Sequence, residues 1–175
     1  MSTSLKAVNE TVRSYESGSD DRKNLQIKYD QMASKIVEIP LIINGKEVKT
    51  GEQGQCVMPH DHQHVLGNFY MAGEDEVNNA IESALLTWKT WSKTSLKERT
   101  KIFRKAAELL RGPWRDTINA ATMLNQSKNA FQAEIDAACE LIDFFNFNCQ
   151  YAEDIHNNQP LISPEGVTPS GEIRG

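Results

Sequence analysis

"QAEIDAACELIDFFNFN", residues 132–148, repeats its apolar residues with a helical period. At roughly 100° per residue, Ile135, Ala138, Leu141, Ile142 and Phe145 share one broad face, while Asp136, Glu140 and Asp143 fall together at i, i+4 and i+7. The acidic stripe has two readings. It is either the solvated back of an amphipathic helix, or a set of carboxylates facing a cleft and able to pair with a ligand ammonium. Glu134 points into the apolar arc, and a carboxylate there must be paired, hydrogen-bonded or neutral. It is therefore the structural partner of a lysine or arginine, or it lies near a site.

The helix carrying this stretch is expected from about Ala130 to Ile155, behind the polar break "NQSKN" at 125–129. Upstream, a helix is expected over about 114 to 124, preceded by Gly112 and Pro113, where glycine closes one helix and proline opens the next. Ser95 with Glu98 reads as a capping box opening a helix that bears Leu96, Ile102, Phe103, Ala106, Leu109 and Leu110. From Gly73 another stripe runs through Val77, Ala80, Ile81, Ala84, Leu85, Trp88 and Trp91. Trp88, Trp91 and Trp114 sit beside Leu and Ala at helical positions, so core packing is expected of them rather than an aromatic site.

Before Gly73 the period shortens. "LIINGKEVKT", residues 41–50 after Pro40, places two short apolar or β-branched runs around Asn44-Gly45, a strong hairpin signal. Further strands are expected over about 54–58 and 64–71, with Gly51 and Gly54 as turn residues between strands. No G-x-G-x-x-G dinucleotide fingerprint occurs. Ser19 followed by Asp20 and Asp21 starts a first helix over about 20–35, carrying Leu25, Tyr29, Met32 and Ile36.

Composition narrows the function classes. The 175 residues suffice for one ordinary domain. A charge of -5 and a pI of about 5.4 offer no broad footprint for a phosphate backbone, so no nucleic-acid partner is expected. With 39% hydrophobic residues, a mean hydropathy of -0.53 and no apolar run near the roughly 20 residues that span a bilayer, no membrane partner is expected either. The opening "MSTSLKAVNETVRSYESGSDDR" lacks a signal-peptide core and mixes acids with its few bases, which places the chain in the cytoplasm.

"PHDHQH", residues 59–64, sets His60, His62 and His64 on alternate positions, which on a strand could converge on zinc or copper. Pro59 and Asp61 favour a turn instead, and a further ligand is missing because His156 and Cys56 lie elsewhere. No metal site is expected. Cys56, Cys139 and Cys149 form no paired framework. Cys139 and Cys149 read as small buried thiols, without a positive neighbour of the kind that lowers a thiol pKa.

Together "LKAVNE", "IPLIINGKEV", "PHDHQHVLGNF", "RTKIFRKAAELLRGPWR" and above all "QAEIDAACELIDFFNFN" resemble the N-terminal portion of the Δ1-pyrroline-5-carboxylate dehydrogenases. These form the glutamate-semialdehyde branch of the aldehyde dehydrogenase superfamily, and the resemblance runs from about Leu5 to Gly175. It implies an α/β fold, the N-terminal fragment of the aldehyde dehydrogenase fold, with the nucleotide-binding sheet largely missing. Implied divisions are an arm at 1–19, a helix at 20–38 and strands of an oligomerisation region at 39–72. The helical part of the NAD-binding domain at 73–156 and a turn-rich connector at 157–175 complete them.

The implied activity is NAD-dependent oxidation of L-glutamate γ-semialdehyde, in equilibrium with pyrroline-5-carboxylate, to glutamate. In the family a cysteine nucleophile captures the aldehyde, hydride passes to NAD, and a glutamate base helps hydrolyse the thioester. None of Cys56, Cys139 or Cys149 matches the nucleophile's motif, and the sequence stops at "GEIRG" before the family's asparagine, cysteine and base. The chain alone is thus expected to be inactive and to hold no NAD by itself; the resemblance also makes the hairpin part of an oligomerisation region, so a homo-oligomer is expected. Glu140, in "ACELIDFF", matches the glutamate that the resemblance places near the substrate's α-amino group. The alternative is a non-catalytic oligomerisation or interaction module derived from an aldehyde dehydrogenase.

Overall fold

The computed structural model describes residues 6–160 and 162–172. The first residue of "LKAVNE" and the last three of "GEIRG" lie outside the described residues. Helix α1 (Asp20–Ala33) begins as its sequence demands: the Ser19 hydroxyl accepts from the Arg22 amide at 3.2 Å, and Asp20 and Asp21 occupy the first turn.

Strands β2 (Leu41–Ile43) and β3 (Lys46–Val48) pair antiparallel around Asn44 and Gly45, whose φ values of 52° and 71° make the left-handed turn that suits a twisted hairpin. Strands β4 (Gln53–Met58) and β5 (Asp61–Tyr70) form a second antiparallel pair. A further strand, β1 (Val37–Ile39), runs parallel to β5 and gives the order β1-β5-β4. The sequence pattern did not announce β1, because all three of its residues are exposed and show no alternation. What holds it is pairing with β5: a Cβ on Gly67 would lie 2.8 Å from the Val37 carbonyl oxygen, so only glycine permits this approach. Glu38 then accepts from Asn68 Nδ2 at 2.9 Å and Tyr70 Oη at 3.1 Å.

The helices follow as α2 (Glu74–Trp91), α3 (Leu96–Arg111), α4 (Arg115–Gln126), α5 (Ala130–Ala133) and α6 (Glu140–Asn157). A π-helical turn (Glu134–Cys139) joins the last two, so the expected single helix carries one wide turn in its first half. The Ser95–Glu98 capping box closes reciprocally at 3.2 and 3.3 Å. Helix α3 packs on α6, with the Phe103 and Phe145 rings 5.8 Å apart, and α1 packs on α4. The core gathers Leu25 and Tyr15 against Ala120, with Leu124, Ala107, Ala138 and Ile142 also buried.

Helix α2 is different. Its periodicity is helical as expected, yet it buries no residue: Val77, Ile81, Leu85, Trp88 and Trp91 are all exposed, as is Trp114. Core packing of the three tryptophans is therefore corrected. Periodicity makes an apolar face, but burial needs a second layer, and among the described elements α2 meets chiefly strand β2.

Candidate functional site

The π turn and the last helix carry Glu134, Asp136, Glu140 and Asp143, the four carboxylates of the stretch that the sequence singled out. Glu134, at the start of that turn, is completely buried. Its Oε1 accepts from the Arg13 amide at 2.8 Å and from Arg115 Nε at 3.2 Å, and it forms an ion pair with Arg115 Nη2. Its Oε2 accepts from Tyr15 Oη at 2.8 Å and Asn119 Nδ2 at 2.7 Å. Arg115 continues outward to Glu10 at 2.8 Å and to the Thr11 carbonyl at 2.6 Å, and Arg111 meets the other Glu10 oxygen at 2.6 Å. Glu134 is thus the structural partner of an arginine.

Burial alone would raise the Glu134 pKa, but the Arg115 bonds, the Arg13 amide and the Tyr15 hydroxyl outweigh it and hold the carboxyl down to about 2. Tyr15 is pushed upward by burial and by its bond to the Glu134 carboxylate. These partners were not foreseen, although Arg115 and Asn119 stand four apart on one face of α4. Tyr15, buried with φ 51°, lies in an arm that looks polar in sequence.

The acidic stripe does not stay together. Asp136, within the π turn, and Glu140, directly after it, stay together, whereas Asp143, three residues further along α6, reaches the arm. Asp143 accepts from the Glu10 amide at 2.7 Å and Asn9 Nδ2 at 2.8 Å, so it grips the arm rather than facing solvent alone. Asp136 and Glu140 line one cavity of about 300 Å³ with Thr122, Gln126 and Phe144. Lys128 stands there too, paired to Asp136 at 2.7 Å. The Glu140 carboxylate makes no hydrogen bond or ion pair with any described residue.

The histidines take other partners. His64 Nε2 lies 2.7 Å from the Ala33 carbonyl oxygen and His60 Nδ1 lies 3.3 Å from Ser127 Oγ, while His62 lies on β5. Among the described residues no cluster of three histidine, cysteine or acidic side chains could hold a metal. Cys139 does have a positive neighbour, correcting the sequence expectation: Arg115 Nη2 is 3.5 Å from its sulfur. Burial and the Glu134 charge still prevail and push the thiol up to about 11, the opposite of an activated nucleophile. Cys149 is likewise raised by burial and donates to the Thr100 carbonyl. Among the described residues no helix is long and apolar enough to cross a membrane.

A model of the aldehyde dehydrogenase family matches residues 47–170, so the chain belongs to that family. Within it the likeness is to the Δ1-pyrroline-5-carboxylate dehydrogenases, whose N-terminal part the chain matches in sequence and fold. It is 40% identical to the human mitochondrial enzyme of that name, over 99% of this chain and 31% of that protein. It is 43% identical to the Agaricus bisporus enzyme, over 95% of this chain and 31% of the relative. The Mycobacterium tuberculosis enzyme, solved bound with NAD, superposes with a TM-score of 0.90 at 38% identity, over 94% of this chain and 31% of that one. The chain thus spans about 31% of the length of these relatives. The names of several relatives call them mitochondrial, a location that the sequence reading did not assign to this chain.

Proposed function

We propose that this chain is the N-terminal part of an NAD-dependent dehydrogenase that oxidises L-glutamate γ-semialdehyde to glutamate in proline catabolism, and that Glu140 receives the substrate's α-ammonium group. The observation that carries the second half is the unpaired Glu140 carboxylate in a cavity of about 300 Å³ where the neighbouring acid, Asp136, is already neutralised by Lys128. One free negative charge in a small cleft suits one ammonium.

The described residues do not make a cradle for a dinucleotide. Gly45, Gly54 and Gly67 belong to a hairpin turn and to strands, not to a strand-to-helix junction. NAD would supply the hydride acceptor in the longer protein. Nor do Cys139 and Cys149, buried and with raised pKa values, offer the nucleophile. The test is NAD-dependent oxidation of glutamate semialdehyde by the 175-residue chain beside a chain extended to its relatives' full length. Activity is expected only in the extended chain, and Glu140→Gln there should raise KM about tenfold, roughly the 1.4 kcal/mol of one charge-assisted contact. Activity in the short chain overturns the reading.

A second reading, homo-oligomerisation, is favoured by the exposed apolar face of α2 and by Ile42, 65% exposed on the hairpin. Sedimentation of the chain should show dimers or larger species at micromolar concentration, and Ile81→Lys with Leu85→Lys should return it to monomer. A monomeric parent chain would end this reading.

A further inference from the structure

The segment before α1 lies along the last helix as a strap with three anchors, running opposite to it. The Ala7 amide donates to Gln150 Oε1 at 2.6 Å, Asn9 and the Glu10 amide bond Asp143, and the Arg13 amide with Tyr15 bonds Glu134. As the strap advances from 7 to 15, its contacts retreat along the helix from 150 to 134. Glu140 lies between the second and third anchors, directly after the π turn that begins at Glu134.

We infer that this strap positions Glu140: by gripping the helix at Asp143 and Glu134, it holds the π turn between them and so sets the direction in which the Glu140 carboxylate enters its cavity. The inference rests on the proposed role of Glu140. A π turn is a rare, poorly bonded geometry that persists where its surroundings hold it, and a slip back to α geometry would rotate every residue on one side of it against the other. The anchors on both flanks oppose that slip. Glu134 does so through its bonds from the Arg13 amide and the Tyr15 hydroxyl, beside its buried ion pair with Arg115 of α4, and Asp143 through two bonds to the strap at the edge of the solvent. Asp143 is a positioning residue, since it acts through Glu140 and lines no part of the cavity.

The experiment uses the full-length dehydrogenase and two aldehydes: glutamate semialdehyde, and glutaric semialdehyde, which lacks the α-amino group. Asp143→Ala removes both acceptor bonds. It should raise KM about fivefold for glutamate semialdehyde only, with kcat within twofold. Asn9→Ala, at an exposed position, removes one bond and should act in the same direction more weakly. Asp143→Asn keeps an acceptor for the Glu10 amide, lets the Asn9 amide reverse, and should restore KM. Hydrogen exchange should show the Glu10 amide losing protection in Asp143→Ala. An Asp143→Ala enzyme whose two KM values move together or not at all, while Glu140→Gln still separates the substrates, overturns the positioning role alone. If Glu140→Gln fails to separate them, the assignment of Glu140 falls first and the strap's role falls with it.

Discussion

Replacing Glu134 by alanine is expected to lower the unfolding free energy of the chain by about 3 kcal/mol at pH 7, because it removes the fully buried partner of Arg115 and leaves that guanidinium with Glu10 and the Thr11 carbonyl alone. The carboxylate has no solvent contact, and it is the acceptor for Arg115, the Arg13 amide, Tyr15 and Asn119 together. Each of those donors would lose a partner where water cannot readily replace it. Arg115→Met alone leaves the opposite charge stranded and should be comparably damaging. The informative variant is the pair Arg115→Met with Glu134→Leu. If the loss comes mainly from an uncompensated charge, the double variant will recover much of it, since well-packed apolar groups of similar volume can replace a buried ion pair. Urea denaturation of the parent chain, Arg115→Met, Glu134→Leu and the double variant closes the cycle. A double variant no more stable than either single one would mean that the hydrogen bonds tying Tyr15 and the strap to α4 contribute more than the charge balance.

Acid is expected to undo the same centre. The Glu134 carboxyl sits at about 2 in the folded chain against an ordinary 4.5. Its folded pKa is depressed, so its contribution is fully present above about pH 4.5 and is lost as the pH falls toward 2. The difference corresponds to about 3 kcal/mol. Glu10 is also lowered: burial opposes the effect, but its bonds to Arg115 and Arg111 win, and its contribution has the same sign. Asp116 is raised by burial, so its contribution runs the other way and moderates the slope. Thermal melts between pH 6 and pH 2 should therefore fall steeply below pH 4.5, and more gently in Glu134→Gln, which begins less stable. Parallel curves for the two chains would show that another carboxylate drives acid unfolding.

Local order was legible because local chemistry imposes it. Ser19 and the Ser95–Glu98 pair mark helix starts through bonds made within four residues, and Asn44-Gly45 makes its turn because both can take positive φ. The apolar stripe of α2 was also legible as a helix, but its burial was not, since a stripe says nothing about whether a second layer is present. Strand β1 escaped because its pairing with β5 is remote and its exposed residues do not alternate.

The candidate site divides along the same line. Glu134, standing in an apolar arc, declared by itself that a partner was required, and Glu140 stood out by matching a family motif. Which arginine would answer Glu134, that Tyr15 from a polar-looking arm would join it, and that Asp143 would leave the acidic stripe to hold that arm were decided only by tertiary structure. The physical reason is one of range. Helical period and capping depend on neighbours three or four residues apart, whereas the strap's bonds to the last helix join residues separated by 119 to 143 positions.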